Sequence, residues 1–230
     1  FDPHKDMPQL IERLHRQSAV IPRSVFSHLV GSDADKFDSF TRRQIELFEK
    51  ASEELQSGFK HKILRHICNT AGIERYSGAQ FDMVRLGIGL YGIDPYDNHI
   101  INNVSTLTST ILQIHDVPAD ETVGYSRKGV LERDSRIAAI PIGYADGLNR
   151  HLGNGHGYCL VNGQKAPYVG NICMDACMVD VTEVDAHEGD SVIVFGEELP
   201  VSELSDKLKT IPYEVLTSVS PRVKRIYYTE

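Results

Sequence analysis

Basic side chains are in the minority in this chain of 230 residues. It has 24 lysines and arginines against 32 acidic residues, which gives a formal net charge of −8 at pH 7. A general nucleic-acid-binding protein needs a basic face to meet the phosphates, and no basic stretch offsets the acidic excess here. The composition therefore argues against a nucleic-acid partner.

Long apolar segments are missing as well. The sequence has no run of about 20 apolar residues, the length that a bilayer-spanning helix requires, and no signal peptide. With 41% hydrophobic and 24% charged residues, it has the composition of an ordinary soluble globular protein of one large or two modest domains. We therefore expect no membrane partner.

Cysteine is scarce and irregularly spaced, at Cys68, Cys159, Cys173 and Cys177. Cys173 and Cys177 lie in one strand-like run, and the second pair that a zinc site would require is absent. We therefore predict reduced thiols in the core of a cytoplasmic protein, with neither disulfides nor a metal site.

The first 95 residues alternate helical and apolar patterns. Helical spacing covers 7–17 and 36–56, and strand-like apolar runs cover 20–30, 63–68 and 83–90. Strands that are apolar throughout indicate a parallel sheet covered on both faces, so the pattern predicts about three βα units. A complete (β/α)₈ barrel needs about 200–250 residues, so these units cannot close one alone.

The pattern changes near residue 96, where we predict a domain boundary. Beyond it the sequence indicates a mainly antiparallel β domain, with a hairpin that turns at Asn162-Gly163. The hairpin covers 158–167, and the other predicted strands are 105–117, 136–142, 172–181, 191–195 and 222–228. Helical signal is limited to 201–209 and 213–219.

Seven short blocks stand out, and all but the last combine glycine with polar residues. In chain order they are HLVGSD (28–33), HICNTAG (66–72), MVRLGIGLYG (83–92), VGYSR (123–127), PIGYADG (141–147), GNICMD (170–175) and PYEVLTSVSPR (212–222). Taken in this order, they resemble the C-terminal portion of the alanine racemase family, pyridoxal-phosphate enzymes that interconvert L- and D-alanine. The resemblance covers essentially the whole chain. It implies that residues 1–95 are the last βα units of a pyridoxal-phosphate-binding TIM-type barrel and that residues 96–230 are the family's C-terminal β domain.

Polar residues at the expected carboxyl ends of the strands are candidates for cofactor binding, because barrel enzymes place their chemistry there. Gly87 and Gly89 let the backbone approach a ligand closely and, with the Thr70 hydroxyl, suit a phosphate. Close packing of strand against helix is the alternative interpretation of these glycines. The resemblance assigns Thr70, Gly87, Ile88 and Tyr213 to the cofactor phosphate.

Arg85 stands alone in an apolar run and so requires a partner or a ligand. It resembles the family's arginine that faces the pyridine nitrogen of the cofactor. Because an arginine does not readily give up a proton, that nitrogen is expected to stay unprotonated. His66 and His28 resemble the supporting histidines beside the ring, and buried structural histidines are the alternative for both.

Tyr125 lies at the centre of the VGYSR block. A tyrosine in a β-rich region is usually an edge or core residue, but this one matches the family's catalytic tyrosine. Racemisation needs a base and an acid on opposite faces of the alanine Cα. In the family a lysine, which also holds the cofactor as a Schiff base, serves one face, and the tyrosine serves the other.

Two further expectations concern this tyrosine. A free phenol titrates near pH 10, so a catalytic one needs a cationic or hydrogen-bonded neighbour, and Arg127 is close in sequence. The family's tyrosine enters the active site of the other subunit. The resemblance therefore implies a homodimer in which Tyr125 completes the partner's site.

The resemblance also assigns residues to the substrate and to its entrance. It places Met174 and Asp175 near the alanine carboxylate, whereas a methionine that fills a gap in a strand is the alternative. A plain β-turn is the alternative for 144–147. The residues that resemble the polar lining of the substrate entrance are Gly31, Asp33, Tyr144 and Arg150.

Two family motifs do not occur in this sequence. One is the A-Y-G-H-G context of the cofactor lysine, and the other is the T-G-M-x-R-x-G-F block, whose final phenylalanine would fall at Phe1. We therefore expect the chain to be a C-terminal fragment of an alanine racemase that supplies D-alanine for peptidoglycan. Residues 1–230 alone are expected to be inactive.

Two other functions stay open. One is that of another fold-type III pyridoxal-phosphate enzyme, such as an amino-acid decarboxylase or a broad-specificity racemase, although Tyr125 and Met174-Asp175 favour alanine racemase. The other is that of a non-catalytic dimerisation module in a larger fusion protein.

Overall fold

Two units of different architecture make up the chain. The computed structural model describes residues 2–3 and 5–228, so Phe1 lies outside the described residues. The first unit comprises Phe1–Asn102 and the second Asn103–Glu230. The domain boundary expected near residue 96 remains a proposal.

The first unit alternates helices and short strands, as predicted. Its elements are α1 (Met7–His15), β1 (Ser24–Phe26), α2 (Asp38–Ser57), β2 (Leu64–His66) and α3 (Thr70–Arg75), with 3₁₀ turns at Asp35–Phe37, Ser77–Ala79 and Ile88–Tyr91. β1 and β2 pair in parallel, with Phe26 opposite His66. Parallel strands require a crossover connection, and α2 provides it. The carboxyl ends of both strands therefore lie at the same edge.

Helix α2 packs on these strands through side chains spaced by seven residues. Phe48 and Leu55 are both buried on one face of the helix. Phe48 belongs to a core cluster with Leu29 and Ile67, whereas Leu55 packs with Met7 in a second cluster. With α2 packed on both strands, the loops that follow β1 and β2 lie at one end of this helix–strand layer.

The strand predicted over residues 83–90 is wrong. Residues 83–87 are irregular, and Ile88–Tyr91 form a 3₁₀ turn. The segment contacts β2 through two backbone bonds, from Asp82 to Arg65 at 3.1 Å and from Arg85 to Cys68 at 2.9 Å. These bonds are three residues apart, whereas the bonds of a parallel ladder recur every two residues, so no strand forms.

The second unit is built on a seven-stranded sheet, and all the pairings within it are antiparallel. Its order is β3-β11-β8-β9-β10-β7-β4, and β5 and β6 form a separate hairpin. The strands are β3 (Leu107–Thr110), β4 (Gln113–Val117), β5 (Thr122–Val123), β6 (Gly129–Val130), β7 (Ser135–Ile140), β8 (Tyr158–Val161), β9 (Gln164–Val169), β10 (Cys177–Asp180) and β11 (Ser191–Phe195); the helices are α4 (Val201–Leu208) and α5 (Pro212–Ser218). No described helix is both long and apolar enough to span a membrane.

The predicted antiparallel character is confirmed, although one predicted strand is wrong. The hairpin turns at Asn162 and Gly163, whose φ values of 49° and 73° are those of a two-residue turn. The strand expected over residues 222–228 is absent from the described structure. The guanidinium of Arg225 donates instead to the nearby carbonyls of Ser220 and Val223, which keeps this segment coiled on itself.

The cysteines are free thiols, and three of them are buried. Cys159 and Cys177 lie in the core of the second unit, with no exposed surface. Burial raises the pKa of the Cys159 thiol to about 12, so the reactive thiolate is scarce at neutral pH. These thiols therefore serve as small apolar core residues.

Tyr168 buries a hydroxyl that has no hydrogen-bond partner among the described residues. Its side chain is 2% exposed, and burial raises the pKa of the phenol well above its ordinary value. Because a buried unpaired hydroxyl is costly, we expect Tyr168→Phe to raise the free energy of unfolding by about 1 kcal/mol.

Denaturant unfolding of the purified protein measures this change. Tyr158→Phe is the matched control, since the Tyr158 hydroxyl donates to Glu203 and its loss should destabilise. Destabilisation by Tyr168→Phe would contradict the prediction.

Candidate active site

One guanidinium ties together the carboxyl ends of β1 and β2. Arg85 donates from Nη1 to Nδ1 of His66 at 2.6 Å and from Nη2 to Nδ1 of His28 at 3.2 Å. Nη2 also donates to the carbonyl oxygens of Ser27 at 2.7 Å and Ile67 at 3.3 Å. Three candidate residues from three separate blocks of the sequence thus form one cluster.

The geometry defines the proton positions in this cluster. An arginine can only donate, so Nδ1 of each histidine is the acceptor, and in the neutral ring the proton is on Nε2. Burial, and after it the charge of Arg85, lower the pKa of His66, which is 6% exposed. His66 is therefore neutral at pH 7, the state in which it can accept from Arg85.

This shift makes stability depend on pH. In the unfolded chain His66 takes up a proton near its ordinary pKa of 6.5, whereas the folded chain resists protonation to lower pH. The contribution of neutral His66 to the free energy of unfolding is therefore fully present above pH 6.5, and it is lost as the pH falls through the lower pKa of the folded state.

We expect the difference in the free energy of unfolding between the wild type and His66→Gln to shrink as the pH is lowered from 8 to 5. Glutamine can accept from Arg85 but does not titrate, so the comparison removes the contributions of the other histidines. Denaturant titrations at several pH values measure it. A difference that stays constant over this range would contradict the assignment.

A threonine hydroxyl and two glycine amides form a second cluster beside the start of α3. Thr70 Oγ1 accepts from the N–H of Gly87 at 2.9 Å and from that of Gly89 at 3.3 Å. A Cβ at position 89 would lie 2.8 Å from Thr70 Cγ2, so glycine permits this approach. Ile88 lies between the glycines with its side chain buried. Thr70, Gly87 and Ile88 are thus brought together, and their role toward a phosphate stays a prediction.

The loop after β1 carries the entrance candidates Gly31 and Asp33. It is held by Arg75, a residue that the sequence pattern did not single out. Arg75, at the end of α3, donates to the Ser32 carbonyl at 2.6 Å and to the Asp38 carboxylate at 2.8 Å. Only the folded structure brings these groups together, because about 40 residues separate them in the chain.

Backbone contacts join the PIGYADG and GNICMD blocks in the second unit. The N–H of Tyr144 donates to the Cys173 carbonyl and that of Ala145 to the Met174 carbonyl, both at 3.0 Å. A Cβ on Gly143 would lie 2.3 Å from the Met174 carbonyl oxygen, so this approach requires glycine. The candidates Tyr144 and Met174 are therefore neighbours, and both side chains are exposed.

Arg222 links the same two blocks to the PYEVLTSVSPR block. It donates from Nε to Asp146 Oδ1 at 2.7 Å and from Nη2 to Asp175 Oδ1 at 2.5 Å. Burial alone would raise the pKa of Asp146, but Arg222 and the N–H of Gly143 outweigh it and hold this pKa below its ordinary range. Arg222 is thus the cationic partner of the candidate Asp175. The sequence did not predict this partner, although the block that contains Arg222 was recognised.

Tyr125 lies in the turn between β5 and β6, with its side chain 74% exposed. The structure gives the phenol no hydrogen bond to any described residue. Arg127, which is close to Tyr125 in sequence, donates from Nε to Thr122 Oγ1 at 3.0 Å. The Asn171 side chain donates to the Tyr125 carbonyl at 3.2 Å, which ties this turn to the GNICMD block.

Two further candidates lie on the second unit. Arg150 begins a 3₁₀ turn, Arg150–Leu152, with its side chain exposed. Tyr213 lies in the first turn of α5, on the second unit, whereas the other phosphate candidates lie on the first.

Comparisons with known proteins agree on one family. Residues 1–95 match the family model described as alanine racemase, N-terminal domain, and residues 104–227 match the model for the alanine racemase C-terminal domain. Alanine racemase 2 of Caldanaerobacter subterraneus subsp. tengcongensis is 39% identical over 228 residues, which cover 94% of this chain and 58% of the relative. The chain thus spans about three fifths of the length of such relatives.

Solved structures give the same result. The alanine racemase of Clostridium difficile 630 superposes with a TM-score of 0.89 at 33% identity, over 99% of this chain and 61% of that one. The alanine racemase of Bartonella henselae, solved with covalently bound pyridoxal phosphate, gives a TM-score of 0.84 at 33% identity, over 97% of this chain and 62% of that one. The expected combination of barrel units and an antiparallel β domain is confirmed.

Proposed function

The chain belongs to the alanine racemase family, and on this premise we propose that the polypeptide carrying it interconverts L- and D-alanine with pyridoxal phosphate. Tyr125 is one of the two bases in this proposal. The other is a lysine in the part of the relatives' length that this chain does not span, so residues 1–230 alone should not racemise alanine.

The observation that carries the proposal is the Arg85 cluster. Every hydrogen bond that Arg85 donates to a described residue comes from Nη1 or Nη2. The Nε–H is therefore left as a donor for a ligand. Because arginine does not readily give up a proton, its N–H can donate a hydrogen bond to a pyridine nitrogen that stays unprotonated. We assign the Arg85 cluster to the pyridine end of pyridoxal phosphate and the cluster of Thr70, Gly87 and Ile88 to its phosphate end.

In this proposal His28 and His66 orient Arg85, because both accept from it. Thr70, Gly87, Ile88 and Tyr213 hold the cofactor phosphate.

The bound cofactor supplies an electron sink that weakens the Cα–H bond of alanine. Tyr125 removes or returns the Cα proton on one face, and its exposed position leaves the phenol free to meet a substrate held elsewhere. Met174 and Asp175 bind near the alanine carboxylate, with Arg222 fixing the Asp175 carboxylate. Gly31, Asp33, Tyr144 and Arg150 line the substrate entrance.

The proposal extends to assembly and to cellular role. Residues 1–95 form the cofactor-binding barrel portion, and residues 96–230 form the C-terminal domain. Two copies form a homodimer in which Tyr125 serves the partner's site. The enzyme acts in the cytoplasm, and its D-alanine enters peptidoglycan. Other fold-type III activities and a non-catalytic dimerisation role are the alternatives.

The test is an assay of the full-length polypeptide loaded with pyridoxal phosphate. Alanine and other amino acids are supplied as substrates, and both racemisation and decarboxylation are measured. We expect racemisation with alanine preferred, and none from residues 1–230. Decarboxylation, or a broad substrate range, would overturn the assignment in favour of another member of the fold type. No reaction at all would favour the dimerisation role.

A further inference from the structure

The turn that carries Tyr125 has an unusual backbone. Gly124, Ser126 and Arg127 have φ values of 78°, 58° and 53°, all in the left-handed region. Glycine adopts this region freely, but serine and arginine do so at a cost in free energy. A turn with two such residues persists only if its surroundings hold it.

A buried asparagine supplies one such hold. Asn171 is 7% exposed, and its Nδ2 donates to the Tyr125 carbonyl oxygen at 3.2 Å. Its Oδ1 accepts from Nδ2 of Asn154 at 3.1 Å. Because the Tyr125 carbonyl can only accept, the nitrogen of Asn171 must face it, and the oxygen of Asn171 then faces the Asn154 amide.

The backbone around Asn171 makes this contact rigid. Asn154 is itself fixed, since its N–H donates to the Gly170 carbonyl at 2.7 Å. A Cβ on Gly124 would come within 3.1 Å of Met178 Cε and 3.9 Å of the Asn171 nitrogen, so the turn lies directly on this segment. Asn171 is also three residues from Met174 in the same block.

We propose that Asn171 is a positioning residue for Tyr125: its side-chain amide holds the strained turn so that the phenol keeps one orientation. This inference rests on the proposed function, because it treats Tyr125 as a base. It adds a residue that acts through the Tyr125 backbone.

Asn171→Asp is the sharpest variant. It keeps the size of the side chain and the acceptor for Asn154 but replaces the N–H donor with an oxygen that repels the Tyr125 carbonyl. Asn171→Ala, which removes both bonds without introducing a charge, is the second variant. Asn162→Ala is the matched control, since the Asn162 amide also donates to a backbone carbonyl, that of Asp185, but holds a different turn.

The first readout requires no activity. Arg127 and Lys128 are trypsin sites within or beside the turn, and both are exposed. In the full-length polypeptide we expect both Asn171 variants to be cleaved there about fivefold faster than the wild type, the factor expected for the loss of one hydrogen bond. Asn162→Ala should be cleaved there at the wild-type rate.

The second readout separates positioning from general damage. Tyr125 removes the Cα proton from one enantiomer of alanine and returns it in the reverse direction, so a loosened Tyr125 slows racemisation in both directions. We expect kcat to fall about ten- to a hundredfold, since a misplacement of about 1 Å can cost a hundredfold. The isotope effect of Cα deuteration should rise for that enantiomer alone. A folding defect would also lower both rates, but with unchanged isotope effects for both enantiomers.

The outcomes distinguish the two proposals. Suppose that the wild-type polypeptide racemises alanine, but both Asn171 variants keep the wild-type cleavage rate and isotope effects. This result would overturn the role of Asn171 and leave the racemase proposal standing. A wild-type polypeptide that does not racemise overturns the proposed function, and with it the positioning of a base, even if cleavage at the turn is faster. Faster cleavage with the one-sided isotope effect supports both.

Discussion

Replacing Tyr125 with phenylalanine in the full-length polypeptide is expected to lower alanine racemisation by about 10²–10⁴-fold, the contribution of one general acid–base group. The loss follows from the missing phenolic oxygen, since phenylalanine keeps the ring. The phenol makes no hydrogen bond to a described residue and is 74% exposed, so the melting temperature should not change. Racemisation rates and thermal unfolding measure the two effects.

Tyr227→Phe is the control, because this tyrosine is 86% exposed near the end of the described chain and belongs to no candidate cluster. It should leave racemisation unchanged. A Tyr125→Phe enzyme with nearly full activity would show that the phenol is not a base, whatever the fold.

Mixing two inactive variants extends this test to the proposed dimer. If Tyr125 serves the partner's site, a hybrid of Tyr125→Phe and Arg85→Ala subunits has one site with both defects and one site with neither. Random exchange of equal amounts should therefore restore about a quarter of the wild-type activity. If Tyr125 serves its own chain, every site carries a defect and no activity returns.

The second large effect concerns the backbone that joins two of the recognised blocks. Gly143→Ala places a Cβ 2.3 Å from the Met174 carbonyl oxygen and 2.4 Å from that of Cys173. Both contacts are with backbone that a rotamer change cannot relieve. We expect a loss of about 3 kcal/mol or more in the free energy of unfolding, because overpacking against a rigid neighbour forces the backbone to move.

Gly78→Ala is the matched control. A Cβ at position 78 meets no atom within 4 Å, and its φ is not positive. This variant should therefore lie within about 0.5 kcal/mol of the wild type in denaturant unfolding. Equal stabilities for the two alanine variants would contradict the close approach of the two blocks.

The recognised blocks show how far the sequence alone can lead. The HICNTAG and MVRLGIGLYG blocks were assigned to the cofactor through their resemblance to the family, and the structure brings His66, Arg85, Thr70 and Gly87 into two adjacent groups of contacts. The antiparallel domain was also predictable, because alternation of apolar and polar residues is a local property. The roles of these residues toward cofactor and substrate remain predictions.

The two wrong strands have a common origin. Residues 83–90 and 222–228 have the apolar or β-branched content of strands, yet neither has a partner at ladder spacing. Whether an apolar segment becomes a strand depends on the hydrogen bonds that a neighbour offers, and local sequence does not encode them.

By itself, the sequence determined the change from βα units to antiparallel strands, because this change follows from residue type and periodicity, and its ordered blocks carried the resemblance to the family. Only the tertiary structure decided which charges and amides meet. Arg75, Arg222 and Asn171 reach carbonyls and carboxylates that lie about 40 to 80 residues away in the chain. Hydrogen bonds over such separations depend on how strands and loops pack, and no local pattern specifies that packing.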